Sequence, residues 1–131
     1  MNKRQLGNTN INLTAIGFGG APLGNLFENL DERNCYDILE KTYNEGINIY
    51  DTSPLYGYGL SEHRLGNFLK TVDEESYFLS TKVGRYLTPA KKESIDRGRF
   101  AGSLNFSPNL DYSYDGVMRA FEQSLLRLAV S

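Results

Sequence analysis

Short apolar runs along this chain alternate with stretches of helical spacing, and the alternation predicts three strand-then-helix units in succession. The first strand is read at residues 14–19, Thr-Ala-Ile-Gly-Phe-Gly, an apolar run ended by glycine. Leu6 to Ile11 before it has the look of a hairpin, with the turn at Gly7-Asn8 or at Asn8 to Asn10. Asp31 suits the N-cap of the first helix, because its carboxylate can accept from the free amides of the first turn. Cys35, Ile38, Leu39, Thr42 and Tyr43 then fall on one helical face, and Gly46 provides the C-terminal stop. Ile47 to Asp51 follows as a second strand. A Gly- and Tyr-rich loop leads to Ser61, read as the N-cap of a second helix with Leu65, Phe68 and Leu69 on one side. Tyr77 to Lys82 is the third strand, and Ser113 to Leu128 the third helix, with Val117, Phe121, Leu125 and Leu128 as its apolar row. Gly84 to about Asp111 carries scattered charges and glycines. A loop longer than ~12–15 residues is usually functional or disordered, and this segment is read as such a loop.

Strands alternating with helices imply a parallel sheet with right-handed crossovers. Two architectures compete. An open nucleotide-binding sheet needs a glycine loop that opens directly into a helix, whose N-terminus holds the pyrophosphate. Here Gly17-Phe18-Gly19-Gly20 is followed by Pro22-Leu23-Gly24, and the helix waits until about Asp31. The pattern therefore favours the start of a (β/α)₈ barrel, whose chemistry sits at the C-terminal ends of its strands.

Composition narrows the partners. The chain of 131 residues suits one domain, and its formal charge of −2 gives no basic surface for nucleic acid. No apolar run reaches the ~18 residues of a membrane span, and Met1-Asn2-Lys3-Arg4-Gln5 does not open a signal peptide, so a cytoplasmic home is expected. Cys35 is the single cysteine, which excludes an internal disulfide and a cysteine-based zinc site; no metal is expected.

In the barrel reading three polar residues fall at the chemical end. Asp51 ends the second strand, Tyr56 lies five residues on, and Lys82 ends the third strand. Neighbouring parallel strands are about 4.8 Å apart, so side chains leaving their ends can converge. A tyrosine, with an ordinary pKa of about 10, is a poor acid at neutral pH. A lysine cation beside it favours phenolate, and a carboxylate beside the lysine keeps that cation charged and aimed. Such a set can give a proton to a carbonyl oxygen or take one from an alcohol. Each residue also has an ordinary structural role: aspartate after a strand often forms turns, and nine tyrosines offer chance pairings.

Asp51-Thr52-Ser53-Pro54-Leu55-Tyr56-Gly57, Gly59-Leu60-Ser61-Glu62 with Leu65-Gly66, and Ser80-Thr81-Lys82-Val83-Gly84 resemble the aldo-keto reductases. Their order, behind Leu6-Gly7 and Ile16-Gly17-Phe18-Gly19, is also that of the family. Asp111-Tyr112-Ser113-Tyr114-Asp115-Gly116-Val117 is further similar to the sugar- and pyridoxal-dehydrogenase branch. The resemblance implies a (β/α)₈ barrel that moves a hydride between NAD or NADP and a small carbonyl or alcohol substrate. It assigns Tyr56 as acid/base, Lys82 as the group lowering its pKa, and Asp51 as the partner of Lys82 and a neighbour of the cofactor. Gly20 and Ala21 match backbone positions that approach the cofactor.

Departures from the family pattern set the remaining expectations. The family's catalytic histidine follows a fourth strand, and residues 1–131 are read as a partial barrel domain that stops before it. His63, the one histidine, is expected on the surface of the second helix. The family barrel needs roughly 250 residues, so the chain alone is expected to have little activity. Its open sheet edge should favour self-association or a complementing C-terminal half. A non-catalytic assembly module pairing through that edge is the alternative. Cys35 is read as core, Lys91-Lys92 as a solvated patch, and Phe100, Phe106 and Tyr112 as candidate substrate walls.

Overall fold

The computed structural model describes residues 1–131. β1 (Lys3–Gln5) and β2 (Asn12–Thr14) form the antiparallel hairpin, with Lys3 opposite Thr14. Gly7, at φ 53°, turns the chain so that the Thr9 amide reaches the Leu6 carbonyl at 3.1 Å. The buried Asn48 ties this hairpin down, accepting from the Thr14 amide at 2.8 Å and donating to the Asn12 carbonyl at 2.9 Å.

The run at 14–19 is not one strand. Thr14 belongs to the hairpin, its hydroxyl bonds to the Ile16 carbonyl at 2.7 Å, and the chain bends there; only Phe18–Gly19 (β3) joins the parallel sheet. After a short 3₁₀ turn at Ala21–Gly24 comes α1 (Glu32–Asn44), capped by Asp31, which accepts from the Asn34 amide at 2.8 Å. Gly46, at φ 82°, ends it. β4 (Ile49–Asp51), α2 (Leu60–Leu69) and β5 (Phe78–Ser80) complete a parallel sheet in the order β3-β4-β5. The sheet does not close.

The core lies between α1, α2 and the sheet, where Leu23, Cys35, Leu39, Tyr50, Leu65, Phe68, Leu69 and Leu128 are buried together. Cys35 is core as expected. Ile38 is not; it is 43% exposed, because α1 meets α2 through Tyr36 and Tyr43, whose rings pack edge-on against Phe68.

Residues 84–111 are not a structureless loop. β6 (Arg85–Pro89) pairs antiparallel with β7 (Phe106–Leu110), Arg85 facing Leu110 and Pro89 facing Phe106. Non-local strand pairing satisfies the backbone groups of a segment whose composition had suggested a functional or disordered loop.

α3 (Tyr114–Leu128) begins at Ser113, whose hydroxyl accepts from the Gly116 amide at 3.1 Å. Its buried row is Gly116, Ala120, Ser124 and Leu128, not the larger apolar row. Small residues permit close helix contact: a Cβ on Gly66 of α2 would lie 2.7 Å from the Leu128 Cα. Phe121 and Leu125 instead line a groove of about 350 Å³ beside β5, with Tyr77, Leu79 and Val130.

Candidate active site

The parallel register sets Gly19, Asp51 and Ser80 level at the C-terminal ends of their strands. The Asp51 carboxylate is divided between two donors. Its Oδ1 accepts from the Ser80 hydroxyl at 2.9 Å, and its Oδ2 from the Lys82 Nζ at 2.6 Å. Lys82 lies two residues beyond β5 rather than in it, and its Nζ also donates to the Thr52 carbonyl at 2.8 Å. Both side chains are just under half exposed, so this is a rim open to a ligand.

Tyr56 enters from the turn after β4. Its amide bonds to the Ser53 carbonyl at 3.1 Å, and its ring centroid lies 4.9 Å from the Lys82 Nζ. Gly57, at φ 66°, follows it with its backbone pressed against Gly24, and a side chain on either glycine would drive the two segments apart. Burial opposes the Lys82 charge, but the hydrogen bond and charge of Asp51, with the nearby Tyr56 phenol, outweigh it and hold the ammonium above the ordinary lysine value. The direct bonds of the ammonium go to Asp51 and Thr52, and the phenol acts through proximity. Asp51, Tyr56 and Lys82 therefore come together from three chain segments at one rim.

Gly20 is explained by the protein itself. Its amide donates to the Asp51 carbonyl at 2.7 Å, and a Cβ there would lie 2.9 Å from both that oxygen and the Ser61 hydroxyl. Ala21, half-buried, opens the 3₁₀ turn beside it. Ser61 is not the cap of α2. Gly59, at φ 95°, starts that helix, and Ser61 faces inward, donating to the Gly20 carbonyl at 2.7 Å and sitting 2.9 Å from the Thr52 hydroxyl.

The β6–β7 loop folds back over the rim. The Phe27 amide bonds to the Arg99 carbonyl at 2.7 Å, the Ala101 amide to the Asn25 carbonyl at 3.0 Å, and the Leu104 amide to the Gly57 carbonyl at 3.0 Å. The Tyr58 hydroxyl donates to the Asp96 carbonyl. These bonds set the Phe100 ring 6.1 Å from that of Tyr56, so of the three candidate wall residues Phe100 reaches the site. Phe106 is taken up in the β7 ladder, and Tyr112, 70% exposed, lies against Gly84. His63, Lys91 and Lys92 are exposed.

Sequence reasoning assigned no role to two buried charges of α2. Arg64 donates to the Leu23 and Leu30 carbonyls, to Asn25 Oδ1 and to Glu32, fixing the segment between β3 and α1. Glu62 is fully buried, held by Arg127 and Thr81. Their signal was present: Glu62 shares helical spacing with Leu65 and Leu69, and Arg64 with Phe68, so each charge falls among residues that must be buried. No group of three or more His, Cys, Asp or Glu side chains gathers to hold a metal, and no helix is long and apolar enough to cross a membrane.

Residues 15–131 match the Aldo/keto reductase family, and the chain belongs to it. It is 43% identical over 136 residues to pyridoxal 4-dehydrogenase of Microbacterium luteolum, covering 96% of this chain and 39% of that protein. It is 47% identical over 122 residues to D-threo-aldose 1-dehydrogenase of a Pseudomonas species, covering 90% of this chain and 37% of that protein. The holo form of an aldo-keto reductase from Bacillus halodurans superposes with a TM-score of 0.75 at 30% identity, over 99% of this chain and 37% of that one. A glycerol dehydrogenase from Gluconobacter oxydans, at 22% identity and a TM-score of 0.73, shares the fold. The chain thus spans well under half the length of these relatives, and its three βα units with their hairpin are the opening part of the family's (β/α)₈ barrel.

Proposed function

We propose that this chain supplies the proton-transfer half of an NAD- or NADP-dependent oxidoreductase acting on a sugar or a related aldehyde or alcohol. The observation that carries this is the Lys82 ammonium, 2.6 Å from Asp51 and 4.9 Å from the Tyr56 ring centroid at a half-exposed rim. Tyr56 gives its phenolic proton to a carbonyl oxygen during reduction and takes one from the alcohol during oxidation. Lys82 sets its cation beside the ring, and Asp51 keeps that cation in place.

The nicotinamide, when bound, accepts or gives the hydride. Asp51, Gly20 and Ala21 would border that reacting end. The residues present offer nothing to the diphosphate. Asp31 caps α1 with Glu32 in its first turn, and Glu62 and Asp115 stand in the first turns of α2 and α3, so none of these helix ends offers a free anion site.

A second reading rests on the groove beside β5, whose outer edge has no strand partner. Apolar Phe121, Leu125, Tyr77 and Leu79 there suit a further strand, from a complementing C-terminal half or from a second copy. In that case the chain acts as an assembly module, and the discriminating result is catalysis.

The chain alone is expected to show little or no turnover of fucose, galactose or pyridoxal with either cofactor. Fused to the remaining barrel segment of the pyridoxal dehydrogenase relative, it should oxidise at least one. Tyr56→Phe in the fusion should then cut turnover by roughly 10²–10⁴-fold. Turnover that survives Tyr56→Phe overturns the assignment.

A further inference from the structure

The first turn of α2 touches every strand end that builds the rim. The Ser61 amide bonds to the Tyr56 carbonyl at 3.1 Å, and its hydroxyl joins Gly20 after β3 to Thr52 after β4. Glu62 extends the pattern to β5. Its Oε1 accepts from the Thr81 hydroxyl at 2.8 Å, and Thr81 is the residue before Lys82. Its Oε2 accepts from the Arg127 Nε of α3 at 2.5 Å. Glu62 is 0% exposed, and no side-chain oxygen or nitrogen buried in the protein lacks a partner.

A fully buried carboxylate is costly to keep unless both oxygens are bonded. What an apolar residue could not do is grip the chain one residue ahead of the ammonium. On the β4 side this segment is held by the Thr52 amide on the Ser80 carbonyl and by the bonds of Lys82 to Asp51 and Thr52; on the α2 side it is held by the Thr81 hydroxyl on Glu62.

We propose that Glu62 is a positioning residue for Lys82, acting through the Thr81 hydroxyl and itself fixed by Arg127. The inference rests on the acid/base reading of Asp51, Tyr56 and Lys82, and it adds that the geometry of this set is imposed by the first turn of α2. Glu62 acts here by hydrogen bonding: the groups that set the Lys82 ammonium are the Asp51 carboxylate and the neighbouring Tyr56 phenol, with Glu62 and Arg127 lying behind Thr81.

The test is an NMR titration of the Lys82 ammonium in the 131-residue chain labelled with ¹⁵N-lysine, with thermal melting measured alongside. In Asp51→Asn the Lys82 midpoint should fall, which establishes that the Asp51 bond is what the titration reads. Thr81→Val keeps the shape and removes the hydroxyl, and its Lys82 midpoint should fall in the same direction. Thr81→Ser should restore the parent value. Glu62→Gln keeps a bonding partner for Thr81 and should leave the midpoint near the parent's while lowering the melting temperature, since the Arg127 charge loses its mate. If Asp51→Asn moves the midpoint but Thr81→Val changes only the melting temperature, Glu62 is merely structural and the inference fails while the acid/base reading stands. If neither variant moves it, both fail.

Discussion

Lys82 reaches from beyond the end of β5 across to β4, where its ammonium sits 2.6 Å from the Asp51 carboxylate and 2.8 Å from the Thr52 carbonyl. The fold favours the charged form of this lysine, whose ordinary value is 10.5. Such a group contributes its stability in full below 10.5 and loses it as pH rises through the raised folded value. The difference in urea midpoint between the parent and Lys82→Met should therefore stay constant between about pH 7 and pH 9 and shrink above 10.5. A difference that grows with alkalinity would contradict the pairing.

Tyr50 titrates with a different cause but the same sign. Burial, and after it the charge of Tyr43, pushes its phenol up to about 12. Between about pH 10 and pH 12 the folded chain holds a proton that the unfolded chain has released, so stability falls with pH there. Tyr50→Phe has no proton to lose, and its stability should drop less over that interval, by the order of 2 kcal/mol. Urea denaturation at pH 8 and pH 12 checks this.

Gly66→Ala should reverse the usual rule for helices. Alanine is normally better than glycine inside a helix by about 1 kcal/mol. Here the added Cβ would lie 2.7 Å from the Leu128 Cα and 2.8 Å from its carbonyl carbon, which are backbone atoms that cannot swing aside. The substitution should destabilise by roughly 1–3 kcal/mol, as overpacking does. Gly19→Ala, with nothing within 4 Å of the new Cβ and no positive φ, should be close to neutral. Paired denaturation curves decide it.

Arg64 is the other strong dependence. Its guanidinium satisfies the Leu23 and Leu30 carbonyls and Asn25 Oδ1 in the interior, while its Glu32 partner is 73% exposed. Arg64→Met should cost about 3 kcal/mol, chiefly from the acceptors left without donors. Arg64→Lys should recover only part, since one ammonium cannot span the fork. Hydrogen exchange should quicken in residues 23–32 before it does in α2.

Local pattern was enough for the order of elements. The run at 49–51, the cap at Asp31, the stop at Gly46 and the motifs carrying Asp51, Tyr56 and Lys82 each depend on neighbours a few residues away, so the sequence displays them directly. It also limited the chain to the opening units of a family barrel, because the motifs come in the family's order. The β6–β7 hairpin escaped notice because its strands pair across 16 intervening residues, and only tertiary contact brings Pro89 to Phe106. The buried row of α3 was misread for a related reason. Hydrophobicity marks the large residues, yet the contact with α2 is set by space, which Gly66 and the small residues of α3 provide. Ser61 looked like a cap because hydroxyl residues favour helix starts, whereas Gly59 took that place and freed Ser61 to join β3 to β4. The residue types of the candidate site were thus written into the chain. Their meeting at one rim came from the parallel register, and the grip of Glu62 on the segment holding Lys82 from helix packing, both of which act between residues far apart in sequence.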